Sequence, residues 1–375
     1  MTEIYLIRHT QAEGNLYRMM QGHWDGNVTE TGLRQIELLA ERFKDIPVDA
    51  VYSSDLYRTR LTATAISRWH GLPIRLEPML REINVGPWET GFFADIAYEQ
   101  PEKLKAFICD QEHWQLDGAE TYQQVRDRAF PVLERIAREN DGKTLAVVSH
   151  GVTIRCLLSR ILGVSLNDTE RVPICANTAV SKLRYEDGHF TVEYINDYSH
   201  LASMEMKPWH KTPELRAEPL NPAADREYYT ACYTDAWRAA HGTLNSFSPE
   251  PYYHCAVKHY AANPCAVLKL FHGETPAGLV DLDTERGAGA GYGWISLFYL
   301  KPEFRNLGCG VQLLGRAIAL YARLGRSALR LHVAEGNAGA VEFYKKHGFE
   351  TLSWENNALG RLLLMEKKLG GRRDV

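Results

Sequence analysis

A chain of 375 residues is longer than one hydrophobic core usually supports, so two domains of ordinary size are expected. Its 45% hydrophobic and 24% charged residues exclude a disordered chain and leave enough apolar material for sizeable cores. A formal charge of -4 excludes a broad positive field for nucleic acid or anionic lipid, so any phosphate must be held by a few placed groups.

From the N-terminus, Glu3 and Arg8 bring charge too early for a secretory leader. No apolar run approaches the roughly 20 residues of a membrane helix, and a cytoplasmic location is expected. Glu3 to Ile7 is a short apolar run that ends in polar residues, and Thr144 to Val148 repeats the pattern before Ser149-His150-Gly151; both read as buried strands. Helical spacing between them predicts helices at Thr31 to Lys44, Tyr57 to Trp69 and Thr121 to Glu139. Strands alternating with helices imply a mostly parallel sheet. Ligands of such sheets sit at the carboxyl ends of strands, where Arg8, His9 and His150 fall.

Pro208, Pro213, Pro219 and Pro222 mark a linker with a boundary near residue 210, dividing the chain into 1–208 and 213–369. Beyond it we read a strand near Leu215 to Leu220 and a helix at Ala224 to His241. Strands follow near Ala266 to Phe271, Ala277 to Asp281 and Trp294 to Leu300. A Gly-rich turn then opens a helix reaching Leu324, followed by a strand at Ala328 to Val333, a helix at Ala338 to His347 and a closing strand pair ending near Lys367. Gly370 to Val375 reads as a frayed tail. The seven cysteines are scattered with no C-x-x-C pair, which suits reduced thiols.

Four segments carry the first chemistry: Leu6-Ile7-Arg8-His9-Thr10 with Asn15; Ser53-Ser54-Asp55-Leu56-Tyr57-Arg58; Leu80-Arg81-Glu82-Ile83; and Val148-Ser149-His150-Gly151. In this order they resemble the phosphoglycerate-mutase-like histidine phosphatase family, over about residues 1 to 205. The implied fold is a three-layer α/β domain. Attack on a phosphoryl group needs a free lone pair, which a neutral imidazole offers near pH 7. His9 is the expected nucleophile, with Arg8 and Arg58 lowering its pKa while binding phosphate oxygens. Phosphoryl transfer is catalysed mostly by positioning and electrostatics, which two arginines and His150 can supply without a metal. The resemblance makes Glu82 the acid and base, and sets Asn15, Gln21 and Gly22 against the substrate. Thr10 stands where glycine is usual, and Glu89-Thr90-Gly91 replaces the more common continuation after Trp88. The short segment between Glu82 and His150 favours a phosphatase over a mutase. Trp88, His113 and Trp114, which lie in it, are read as core or lid packing.

The second chemistry lies in Arg305-Asn306-Leu307-Gly308-Cys309-Gly310, an R-x-x-G-x-G turn between a strand and an apolar helix. Glycines let the backbone approach closely, and the N–H groups of a helix N-terminus suit a pyrophosphate. Asn337-Ala338-Gly339-Ala340-Val341-Glu342-Phe343-Tyr344 follows at the spacing of the second signature of GNAT acetyltransferases. Residues 213 to 369 therefore resemble that α+β family, whose mixed sheet splays its central strands to admit acyl-CoA. The resemblance sets Leu300, the whole turn from Arg305 to Gly310, and Asn337 against acetyl-CoA, and makes Tyr344 the acid that protonates the departing thiolate. Glu303, Glu335, His332 and Asp281 are open candidates for the base.

The expectation is a bifunctional enzyme: metal-independent hydrolysis of a phosphomonoester through phospho-His9, and acetyl transfer from acetyl-CoA to an amine. The fusion suggests one metabolite or one pathway. Two alternatives stay open: a mutase-type transfer in the first domain, and a second domain that only senses acyl-CoA and regulates the phosphatase.

Overall fold

The computed structural model describes residues 1–204, 212–245, 247–357 and 360–370. The chain divides into two compact units, one built on Met1–Met206 and the other on Lys207–Gly370. The expected boundary near residue 210, with Pro208, lies outside the described residues, as does the expected tail after Gly370.

In the first unit the elements run β1 (Thr2–Arg8), α1 (Glu13–Tyr17), α2 (Glu30–Phe43), β2 (Ala50–Ser53), α3 (Tyr57–His70) and β3 (Ile74–Leu76). They continue with α4 (Phe93–Glu99), α5 (Pro101–Cys109), α6 (Tyr122–Glu139), β4 (Thr144–Ser149), α7 (Gly151–Leu162), β5 (Val180–Glu186) and β6 (His189–Asp197). The six strands form one sheet in the order β3-β2-β4-β1-β5-β6. The first four are parallel, and β5 and β6 are antiparallel additions at one side. Alternation along β1 explains the layers: Ile4 and Leu6 pack with Leu133, Ile136 and Leu157 of α6 and α7. Tyr5 and Ile7 pack on the other face with Leu39, Phe43 and Ile66 of α2 and α3. Helices therefore cover both faces of the sheet. Thr29 caps α2 through Gly32 N, and Thr121 with Gln124 forms a capping box on α6.

This packing decides where the site lies. β2, β4 and β1 are neighbours in register, Ser53 opposite Val148 and Arg8 opposite Ser149. The residues just past their carboxyl ends, Ser54, His150 and His9, are thus delivered to one edge of the sheet.

The second unit runs β7 (Arg216–Pro219), α8 (Arg226–His241), α9 (Glu250–Ala262), β8 (Val267–His272), β9 (Thr275–Asp283), β10 (Tyr292–Leu300), α10 (Gly310–Arg323), β11 (Ala328–Ala334), α11 (Ala338–Lys346), β12 (Glu350–Asn357) and β13 (Gly360–Lys368). Its sheet has the order β12-β13-β11-β10-β9-β8-β7, and β10 with β11 is its parallel pair. Tyr229 and Cys232 of α8 and Ala256 of α9 pack on Val267, Leu279 and Tyr299. The β10–β11 pairing covers only Tyr292–Ile295 against Ala328–Leu331, although β10 runs on to Leu300 and β11 to Ala334. The two strands part there, and beside the opening β10 slips register against β9 between Ile295 and Leu297, leaving Ser296 as a bulge.

Candidate functional site

In the first unit His9 and His150 are 2% and 0% exposed, with ring centroids 5.2 Å apart and ring planes at 56°. Both imidazoles are held well below the usual histidine pKa. Burial is the largest cause for each; Arg58 and Arg8 follow for His9, and Arg58 and His9 for His150. His9 Nδ1 lies 2.6 Å from the Thr10 carbonyl, an acceptor only, so Nδ1 carries the proton and Nε2 the free lone pair. Asn177 Nδ2 donates to His9 O at 2.9 Å and fixes the backbone behind the ring.

The arginines are held by carbonyls. Arg58, fully buried, donates from Nη1 to Trp24 O at 3.0 Å and from Nη2 to Gly22 O at 2.8 Å; Arg8 donates from Nη1 to Cys175 O. The Nε of each arginine and Nδ1 of His150 are buried nitrogens without a protein partner. Other buried nitrogens of the chain also lack a partner, Nε of Arg155 among them, but these three belong to the side chains that surround His9, where they could bind an anion together. Glu82 accepts from Val152 N and Thr153 N, each at 3.2 Å, in the first turn of α7 that His150 opens. That N-terminus suits a negative group.

The predicted substrate residues serve first as architecture. Asn15 Oδ1 accepts from Ala12 N at 3.0 Å to cap α1, and Gln21 packs over Gly14 with its Oε1 buried and unpartnered. Gly22 has φ 47°, and a Cβ there would collide with Glu89 Oε1. Glu89 binds His23 N and Trp24 N, each at 2.8 Å, and so clamps the loop whose carbonyls hold Arg58. The two departures from the family pattern have local accounts. Thr10 Oγ turns away to Gly32 O and Gln35 Oε1, at 2.6 and 3.0 Å, while Thr90 takes the left-handed φ of 61° that glycine would adopt freely. Trp88 and Trp114 are buried with Phe107 and Tyr122. His113 contradicts the packing expectation: it is exposed and paired with Asp110.

In the second unit the turn from Arg305 to Gly310 lies between β10 and α10, with Leu307 and Gly308 exposed. Gly308 has φ 81°, and Cys309, at the N-cap, makes no side-chain cap bond. The first-turn N–H groups of a helix have no intrahelical partners, so this turn and the parted strands fit a pyrophosphate with an extended arm. The Arg305 charge is placed elsewhere, donating to Leu300 O at 2.8 Å and Asp235 at 2.7 Å. Asn337 caps α11 through Ala340 N. Phe343 packs on Gly310, which brings α11 and Tyr344 beside the turn. Burial pushes the Tyr344 phenol well above its ordinary pKa, so it holds its proton. Among the base candidates, Glu335 is paired with Arg361, Glu303 and His332 are exposed, and Asp281 is buried with both oxygens engaged by His259 and Tyr229.

Sequence reasoning missed Ser54 as a partner of His150, Glu89 as the loop clamp, and Asn177. Ser54 stood inside a quoted segment, whereas Asn177 carries no local signal at all. Among the described residues no group of three or more His, Cys, Asp or Glu is placed to hold a metal ion, and no helix is long and apolar enough to cross a membrane.

The first unit's fold and site define an α/β domain with a buried histidine pair flanked by two arginines; the second has a mixed sheet whose parallel strand pair parts. Residues 4–198 match the histidine phosphatase superfamily (branch 1), and residues 226–349 match the acetyltransferase (GNAT) family. The chain belongs to the histidine phosphatase superfamily and carries a GNAT domain after it. It is 33% identical over 207 residues to a metal-independent phosphoserine phosphatase of Arabidopsis thaliana, covering 54% of this chain and 84% of that protein. It is 30% identical over 206 residues to a protein of Escherichia fergusonii named "Probable phosphoglycerate mutase GpmB", covering 54% and 95%. The solved structure of Bacillus stearothermophilus YhfR superposes with a TM-score of 0.52 at 28% identity, covering 54% of this chain and all of that one.

Proposed function

We propose that this chain is a bifunctional enzyme that hydrolyses a small phosphomonoester through a phosphohistidine at His9 and acetylates an amine from acetyl-CoA. The observation that carries the first activity is the set of unpartnered buried nitrogens of Arg8, Arg58 and His150 beside a histidine whose Nε2 is free. His9 Nε2 attacks phosphorus and the ester P–O bond breaks; Glu82 gives a proton to the leaving oxygen. Glu82 then takes a proton from water, which attacks phosphorus, breaks the P–N bond and returns neutral His9 with inorganic phosphate. The cations of Arg8 and Arg58 and the His150 donor balance the equatorial charge, so no metal is required. The short segment between Glu82 and His150 favours water over a second substrate oxygen as acceptor, and phosphoserine, named for a relative, is the first ester to try.

For the second activity, the amides opening α10 would hold the pyrophosphate of acetyl-CoA and the gap between β10 and β11 its arm. The chain's main contribution is orientation of two reactants. Tyr344, a phenol that is protonated at neutral pH and whose pKa burial raises further, gives its proton to the departing thiolate sulfur. Phosphate release from a panel of phosphomonoesters, phosphoserine included, tests the first activity with a chelator present. Turnover that disappears in His9→Ala is expected; turnover that survives the substitution would exclude a phosphohistidine at that position.

A further inference from the structure

The donor role of His150 depends on which of its ring nitrogens carries the proton. Its ring is wholly buried, Nε2 lies 2.9 Å from Ser54 Oγ, and Nδ1 has no partner. The groups that face it are His9 past β1, Arg58 on α3, Arg128 on α6 and His23 in the loop before α2; of these Arg58 is fully buried and cationic. Glu82 stands at the amides two and three residues on. A buried imidazole among cations is neutral, so one nitrogen carries the proton and the other a lone pair.

Two arrangements are available. If Nε2–H donated to Ser54, the buried Ser54 hydroxyl would need another acceptor for its own proton, and Nδ1 would be a bare lone pair turned on an anion. If Ser54 O–H donates to Nε2, the hydroxyl is satisfied, its oxygen still accepts from Leu56 N at 3.5 Å, and Nδ1 carries a proton for which the protein provides no acceptor. The second arrangement leaves a single unmatched group, a donor, and an anionic oxygen would complete it.

We propose, on the phosphatase reading above, that Ser54 is a positioning residue for phosphoryl transfer: its hydroxyl donates to His150 Nε2 and fixes the ring as the Nδ1–H tautomer, a neutral donor to the transferring phosphoryl group. Both ends of the contact come from the strand register, since Ser54 follows β2 and donates its amide to Val148 O at 3.0 Å, one residue before β4 ends at Ser149. Without the hydroxyl, His150 can donate from Nδ1 dependably only when the whole ring is protonated.

The test uses the full chain and p-nitrophenyl phosphate. Ser54→Ala should lower kcat/KM at neutral pH on the order of 100-fold, the size expected for one preorganised donor. Its pH optimum should move to lower pH, and Ser54→Thr, which keeps the hydroxyl, should retain the wild-type profile. Nitrogen-15 NMR of His150 reads the tautomer directly: wild type should show a protonated Nδ1 and a bare Nε2 at neutral pH. A protonated Nε2 in wild type, or a Ser54→Ala profile lowered uniformly with no acid shift, overturns the proposal. Failure of the wild type to hydrolyse any ester would remove the phosphatase reading, while the NMR result still decides what Ser54 does to His150.

Discussion

His9 and His150 are buried and neutral, and a neutral buried imidazole is linked to stability. Their folded-state pKa values lie below the ordinary 6.5, so at acid pH the unfolded chain binds protons that the folded chain refuses. The stabilisation is complete above pH 6.5 and is shed as the pH falls from there toward the depressed values, with a slope of up to about 1.4 kcal/mol per pH unit for each ring. Urea unfolding at pH 7 and pH 5 checks this: His9→Asn should flatten the acid-side loss by one such slope. Arg58 adds a second expectation. A lysine keeps the charge but cannot reach two carbonyls and a phosphate together, so Arg58→Lys should cost about 100-fold in kcat/KM for p-nitrophenyl phosphate. It should also lower stability by about 1–3 kcal/mol, because Gly22 O or Trp24 O loses its buried donor. An unchanged kcat/KM would remove Arg58 from the phosphate site.

At the scale of elements, the site is a product of three strand ends and one clamped loop. Two of the strand ends were legible, since the apolar runs before Arg8-His9 and Ser149-His150 are short, continuous and bounded by polar residues; the four-residue β2 (Ala50–Ser53) was not read as a strand. Long amphipathic helices were equally legible, as α2, α6 and α10 show, because one apolar stripe recurs at helical spacing. Helix α9 was not, since its buried residues are only Ala256 and His259 and aromatic residues are spread around it. Nor was the Ser54–His150 contact, which joins residues 96 apart through β2–β4 register rather than through local pattern. The clamp is testable at Gly22. Alanine there must adopt φ 47° and push against Glu89 Oε1, so Gly22→Ala should destabilise by about 1–3 kcal/mol and displace the carbonyls that hold Arg58. A drop in kcat/KM of at least 10-fold, against little change in the acetyltransferase reaction, is expected from parallel assays.

For the whole molecule, the chain forms two compact units with their own buried clusters, and the residues named for each proposed chemistry come from one unit. The order of the motifs along the sequence led to the same assignment of residues. The proposed ester and amine were not legible there, because the side-chain directions of the loops follow from tertiary packing and not from local pattern. Separate construction predicts separable loss. Tyr344→Phe retains the ring that packs with Phe343 and Phe349 but removes the proton, and should slow thiol release from acetyl-CoA with an accepting amine about 100-fold. Phosphate release should be unaffected, and His9→Ala should show the reverse pattern. The informative departure is asymmetric: if acetyl-CoA altered phosphate release with no amine present and no thiol appeared with any amine, the second unit would be a sensor. Tyr344 would then be a packing residue, and its substitution would change the affinity for acetyl-CoA rather than a rate.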